Sequence, residues 1–346
     1  MKITRLLQLL FATVLLFNIS CSTDSSFTLP EITYENGFLI TNEGNYGKPN
    51  AEVTFVSRDL TFSQNNIFSK NNNGSQLGDV LQAAAFSGDK AYLLLNNSNK
   101  IQVVNRYTFK SVGEITNQIN YPRYIAVANN NVYVTNDQYQ AAKYLSIYKT
   151  SDLSFVKKIA FTENVERIVE AGGNIFIQNA SFGFGNKITY INTSSNTVQS
   201  TITLPNGNIN RTISYNSNVY VIASTTTDSY IYQISGTGNI TKTTKLTGIA
   251  NATNLQIEGG KYFFSSANKV YSMDMNTTTV PTAPIITAVD GGQFYTLYGF
   301  SVVDGKIFTS DVKGFTEDSE VTVYNTLGTK IKSFTTGKGT NGVYLN

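Results

Sequence analysis

One pattern of apolar and polar positions, apolar-x-apolar-apolar-polar, returns seven times along the chain. It begins at Val53, Ile101, Leu145, Ile188, Ile231, Val270 and Val321, and each copy ends four residues on at a polar side chain. A second series lies just upstream of each copy, in GFLITN, DKAYLLLN, NNVYVTND, GNIFIQN, SNVYVIAS, GKYFFSS and GKIFTSD. Its aligned residues are Leu39, Tyr92, Tyr133, Phe176, Tyr220, Phe263 and Phe308, at steps of 53, 41, 43, 44, 43 and 45. A third series, at Phe86, Val127, Glu170, Ser214, Ile257 and Val302, precedes the second by six residues and has six internal copies. Counting 42 on from Val302 reaches Tyr344, in the terminal Gly342-Val-Tyr-Leu-Asn346. Weaker runs such as Val156–Ile159 and Val198–Ile202 supply a fourth. Short alternating runs with frequent turn signals predict strands, not helices.

Four short strands per repeat of about 40–45 residues, with the first repeat completed by the chain's last strand, predict an all-β fold: a seven-bladed β-propeller of four antiparallel strands per blade over residues 31–346. Such interlocking leaves no end blade exposed. The loop Asn42-Glu43-Gly44-Asn45-Tyr46-Gly47 is then the first of seven equivalent hairpin loops. Its two glycines read as turn residues. A phosphate-cradling loop would require a helix after it, and none is predicted.

Composition agrees with strands: hydrophobic residues make up 41% and charged residues 14%, while Asn, Thr, Ser, Tyr and Phe are abundant. Residues 1–20 stand apart. Lys2 and Arg5 precede an apolar run from Leu6 to Phe17, right for the core of a signal peptide and too short to span a bilayer. It ends at Cys21, the only cysteine, in an Asn-Ile-Ser-Cys context that resembles a bacterial lipobox. Asn18 departs from the usual Leu there. Residues 21–30 are expected to be a lipidated N-terminus and tether. Without Lys2 and Arg5 the net charge of +3 falls to +1. That balance argues against nucleic acid as the partner.

The chain has no histidine and no tryptophan. The first absence removes Ser-His-Asp and Cys-His catalysis and histidine-ligated metals. A carboxylate pair remains open as glycosidase chemistry, but sialidase-type Ser-x-Asp-x-Gly-x-Thr-Trp boxes are missing. Glu317, Asp318 and Glu320 form an acidic group in the last blade's loop. Calcium there is one reading and a solvated loop the other, since the Asp-x-Asp-x-Asp-Gly spacing is absent. No cofactor is expected, and no catalytic role.

Candidate binding residues come from the positions that open the innermost strands: Gln82, Arg123, Arg167, Arg211, Asn254 and Tyr298, with Asn341 near the seventh. Three arginines at an interval of 44 are expected to converge at one mouth of the central channel, where an anion would neutralise them. The competing expectation pairs each within its own blade, such as Arg167 with Glu163 or Glu166. Tyr46, Tyr121, Tyr139, Phe182, Phe184, Phe294, Tyr295 and Phe315 fall in loops of the same face. A polar rim with aromatic platforms suits a large amphipathic ligand.

The NEGNYG hairpin, the YVTN-type strands and the terminal NGVYLN resemble the YncE-like propeller lipoproteins of the Bacteroidetes cell envelope. The resemblance implies a surface-exposed, lipid-anchored protein of the outer membrane that binds a small molecule, a corrinoid in some relatives, over a TonB-dependent transporter. The alternative is a protein- or glycan-interaction scaffold, and an enzyme is the third reading. The segment VTVYNTLGTKIKSF also looks like a type IX secretion tail, although it fits the frame of the seventh repeat.

Overall fold

A computed structural model describes residues 33–138, 141–292 and 294–346. The signal peptide, Cys21 and the tether expected from the sequence lie outside them. Seven four-stranded antiparallel sheets form a ring of blades. From the channel outward, blade 1 runs Thr340–Leu345, Gly37–Asn42, Glu52–Ser57 and Ser63–Gln64. The innermost strands of blades 2 to 7 are Leu81–Ser87, Pro122–Ala128, Ile168–Ala171, Asn208–Tyr215, Thr253–Glu258 and Phe300–Val303. Among the described residues, helix is confined to one five-residue turn, Ile67–Asn71, and one 3-10 turn, Lys313–Phe315.

The second strand of each blade carries the densest apolar run because both of its faces are covered. Gly37–Asn42 is buried at every position, whereas the outermost Phe155–Phe161 is largely exposed. Alternate side chains of a strand point to opposite faces, and here each face meets a different blade. Ala91, Leu93 and Leu95 enter a cluster shared with blade 1, while Tyr92 and Leu94 enter one shared with blade 3. Seven such clusters lie between successive blades. The aligned residues Leu39, Tyr92, Tyr133, Phe176, Tyr220, Phe263 and Phe308 each occupy the cluster shared with the following blade, and Phe308 reaches Phe38 of blade 1.

The exceptional step of 53 between Leu39 and Tyr92 holds an extra segment after the short strand Ser63–Gln64. Its helical turn buries Ile67 and Phe68. The Glu52 carboxylate accepts the Phe68 and Ser69 amides at 3.2 and 2.9 Å, satisfying donors that a helix start leaves free.

Ring closure follows the expected connection with one shift. Leu39 pairs with Tyr344, as Phe308 pairs with Ser301. Tyr344 is therefore the counterpart of Ser301, and Leu345, not Tyr344, matches Val302. One residue of register exchanges the faces of a strand. The Tyr344 ring accordingly lies against Phe86, at 5.2 Å between centroids. It also covers Gly342, where a Cβ would crowd it. The final residue fastens the joint. Asn346 donates to the Tyr34 and Arg106 carbonyls and accepts from Arg106 Nε at 2.6 Å. Residues 321–334, which resembled a secretion tail, belong to the third and outermost strands of blade 7, Glu320–Asn325 and Lys330–Thr335.

Deleting residues 342–346 should unpair the inner edge of Gly37–Asn42 and strip Val343 and Tyr344 from their contacts. The expected loss is about 5 kcal/mol, comparable with total domain stability. Thermal unfolding measures it, and a truncated protein melting at the wild-type temperature would contradict this role.

Candidate functional site

Antiparallel connection places two sets of loops on one face: those leading into the innermost strands, and those between second and third strands. At the first set the ladder is broken. Register shifts occur between Leu81 and Ala83, Pro122 and Ile125, Ile209 and Arg211, and Thr253 and Gln256; blade 1 skips Asn341 opposite Thr41 and Asn42. A bulge of this kind adds a residue and re-aims the side chains around it.

Within these bulged starts the three arginines are not equivalent. Arg123 precedes the aligned Tyr133 by ten residues, while Arg167 and Arg211 precede Phe176 and Tyr220 by nine. The step between blades 3 and 4 is 43, so an interval of 44 oversteps it by one. The counterpart of Arg123 in blade 4 is Glu166, and the two form an ion pair. Arg123 Nε lies 3.1 Å from both carboxylate oxygens, and a terminal nitrogen lies 2.9 Å from Oε1. Burial works against the Arg123 charge, but Glu166 more than offsets it and holds the pKa above its usual value. Ser181 donates to the same carboxylate at 3.1 Å. Glu163 pairs instead with Lys187. Neither acid meets Arg167, so the pairing within blade 4 expected as the alternative does not form.

Arg167 and Arg211 have no carboxylate within ion-pair distance among the described residues. The Arg167 guanidinium stacks on the Tyr124 ring, 4.4 Å from its centroid. Arg211 donates one long bond, 3.4 Å, to Asn254 Oδ1, and its Nε is buried without a partner. Asn254 is oriented for this by its own donations to Ser265 and to the Leu297 carbonyl, both 3.2 Å. Burial, and then the neighbouring charge of Arg167, pull the Arg211 pKa down to about 9. The group still carries its proton at neutral pH.

A cavity of about 730 Å³ occupies the channel. Gln82, Arg167, Arg211, Asn254, Tyr298 and Asn341 all line it. Arg123 faces a smaller hollow of about 430 Å³, with Glu166 and Phe182 on its wall and Tyr124 and Arg167 shared between the two.

Glu43 also lines the main cavity and escaped the sequence reading. Glycines with φ of +78° and +80° at Gly44 and Gly47 make the hairpin loop, and a Cβ at Gly44 would collide with Asn50. The Glu43 and Gly44 amides dock on the carbonyls of Gly339 and Lys338, both at 3.0 Å. The chain then turns so that the carboxyl group enters the channel, 8% exposed. Asn341 Nδ2 donates to Oε1 and Tyr298 OH to Oε2, each at 2.8 Å. Burial pushes the Glu43 pKa up to about 7, against the opposing pull of those two hydrogen bonds and of Arg123. Equivalent positions in other blades are Asn96, Asp137, Ala180, Ser224, Ala267 and Val312. The carboxyl group thus recurs only as Asp137, which accepts the Val165 amide at 3.0 Å.

Around the mouth, Tyr46, Phe182, Phe184 and Phe294 are 72–87% exposed. Tyr121 and Tyr295 are less so, and Phe315 packs edge-on against Tyr298 at 5.2 Å. Tyr139 lies outside the described residues. Among the described residues no group of three or more acidic side chains could hold a metal ion. Glu320 faces Lys313 at 3.7 Å, so the acidic loop of blade 7 has a cation of its own.

No curated protein sequence matches the chain significantly. Several solved structures share its fold. A quinonprotein alcohol dehydrogenase-like protein from Bacteroides thetaiotaomicron VPI-5482 superposes with a TM-score of 0.69 at 14% identity, over 90% of this chain and 79% of that one. The Dos1 propeller gives 0.57 at 12%, over 89% and 86%. Dihydro-heme d1 dehydrogenase NirN in complex with DHE gives 0.54 at 12%, over 90% and 75%. At such identities the likeness shows the propeller fold alone. Residues 36–342, nearly the whole described ring, match one family along their length, and the chain belongs to that family, described as Domain of unknown function (DUF5074).

Proposed function

We propose that this propeller binds a small molecule in its channel without catalysing a reaction, and that Arg167 and Arg211 hold an anionic part of it. The observation that carries this reading is the half-buried Arg211 side chain, whose buried Nε has no partner among the described residues and whose charge is opposed by that of Arg167. Two like charges in a partly desolvated wall raise the energy of the empty protein, and an anion between them reverses the sign of that term. A phosphate or carboxylate suits guanidinium groups. Arg123 is left out of the binding set, because Glu166 already neutralises it.

Non-catalytic binding is favoured by a chain without histidine, and by the tethering of the channel carboxyl group Glu43 to Tyr298 and Asn341. The finer form of the proposal is a lipoprotein anchored through Cys21 in the outer membrane and exposed at the cell surface. There it would capture a corrinoid or another large anionic small molecule for a TonB-dependent transporter. It rests on the lipobox-like Asn-Ile-Ser-Cys and on the resemblance carried by NEGNYG. A second reading, a scaffold for a protein or glycan, is favoured by the exposed Phe182, Phe184, Tyr46 and Phe294 on the same rim.

Replacing Arg211 or Arg167 by Ala should weaken binding of a corrinoid or other anionic ligand by roughly tenfold or more, with non-additive effects in the double variant. The melting temperature of Arg211→Ala should hold or rise as repulsion is relieved. Arg123→Ala should instead melt earlier, since it strands the 8% exposed Glu166, at a cost of about 3 kcal/mol. Titration calorimetry and thermal melts on the same samples decide between the roles. An Arg211→Ala protein that is destabilised yet binds like wild type would place the site elsewhere.

Cys21→Ala should abolish lipid labelling and release the protein from the membrane fraction, because stable anchoring depends on the acyl chains. Unchanged fractionation with no lipid attached would reject the anchor.

A further inference from the structure

Glu43 and the arginine pair stand on opposite walls of the channel. Glu43 belongs to blade 1, and its partners are Asn341 of the same blade and Tyr298, which opens blade 7. Arg167 and Arg211 open blades 4 and 5, which face blade 1 across a ring of seven. All five residues line the same cavity of about 730 Å³. One wall therefore presents cationic donors with an unfilled bond, and the other a carboxyl group.

That carboxyl group has capacity left. Each Glu43 oxygen accepts one hydrogen bond in the protein, and a carboxylate offers about four lone-pair sites. The charged and titratable groups that bear on it are few. Tyr298 donates its hydroxyl proton. Arg123 acts from blade 3 but is forked onto Glu166. Lys338, in the adjoining loop, gives Gly44 only its carbonyl and sends its ammonium to the Thr316 carbonyl at 2.7 Å. No cation of the protein is therefore in ion-pair contact with Glu43 among the described residues.

We propose that the channel recognises both ends of one molecule, an anionic group at Arg167 and Arg211 and a hydrogen-bond donor, best an ammonium or amide, at Glu43. The ligand class is then a donor-bearing or zwitterionic anion of channel-spanning length. This rests on the anion reading above and adds the second pole. Burial holds the empty Glu43 near pKa 7, so a cationic donor arriving there would fix the ionised form. Preference for the donor should therefore grow as pH rises through that value.

The test uses the full-length protein and matched probes: n-alkyl phosphates and the corresponding ω-aminoalkyl phosphates, over a graded series of chain lengths. Each pair differs only in the terminal ammonium, and the second phosphate ionisation, near pH 6, is common to both members. The amino ester should bind roughly tenfold more tightly than its partner at a length that spans the channel. The preference should vanish in Glu43→Gln and fade in wild type as pH drops from about 8 to about 5.5, where Glu43 is protonated and the amine remains charged. Arg211→Ala should weaken both esters alike. The second pole is overturned if both esters bind through Arg211 with no preference at any length, or if a preference survives in Glu43→Gln or at low pH. The anion reading itself falls if neither ester binds, or if Arg211→Ala leaves both unaffected. Should Glu43→Gln fail to fold, as a thermal melt would reveal, the pH series on the wild-type protein decides alone.

Discussion

The structure depends on one constraint: the second strand of every blade is buried on both faces, and each face belongs to a different hydrophobic cluster. Tyr92 and Leu94 pack forward while Ala91, Leu93 and Leu95 pack backward. No blade can bury its own apolar side chains, so a single blade has little stability apart from its neighbours. The inner strands stand between those packed strands and the channel. Their irregular starts project polar side chains into it. A site made there from several blades is held by packing in which Glu43, Arg167, Arg211 and Asn254 take no part.

This division explains what could be read from the chain. The strands and their number follow from period-two alternation and from aromatic residues recurring at nearly equal steps, because interblade packing selects the same kind of side chain seven times. Polar positions obey no such rule. Each bulged strand start offers two adjacent positions, and steps that vary from 41 to 45 do not say which of them an arginine takes: Arg123 holds the first, within reach of Glu166, whereas Arg167 and Arg211 hold the second. A one-residue difference in step likewise places Tyr344 opposite Leu39 and matches it to Ser301. Glu43 was hidden for another reason. Repeat logic looks for what recurs, whereas Glu43 acquires its setting from Asn341 and Tyr298, which are 298 and 255 residues away in sequence.

The electrostatics of the channel are uneven. Around blades 3 and 4, Arg123 and Glu166 satisfy one another, and Ser181 completes the set. Among the described residues, by contrast, Arg167 has only the face of Tyr124 and Arg211 only a long bond to Asn254. Interblade burial supplies the stability that tolerates such unpaired groups. A protein with its core spread over seven interblade clusters can hold two half-buried, unpaired cations in its channel without losing the fold.

The seam of blade 1 also sets an order of events. Pairing Leu39 with Tyr344 closes a loop of about 300 residues, and ordinary blade hairpins close within a few tens. The extra loop-closure entropy is about 2 kcal/mol, because it grows only with the logarithm of length. Thermodynamically that is minor. Kinetically it means that neighbouring blades can stack by local contacts long before the ends of the ring meet. Until Asn346 reaches Tyr34 and Arg106, the molecule is an open arc with an unpaired strand at one end. The seam, more than any blade, then governs when the channel first acquires a complete wall.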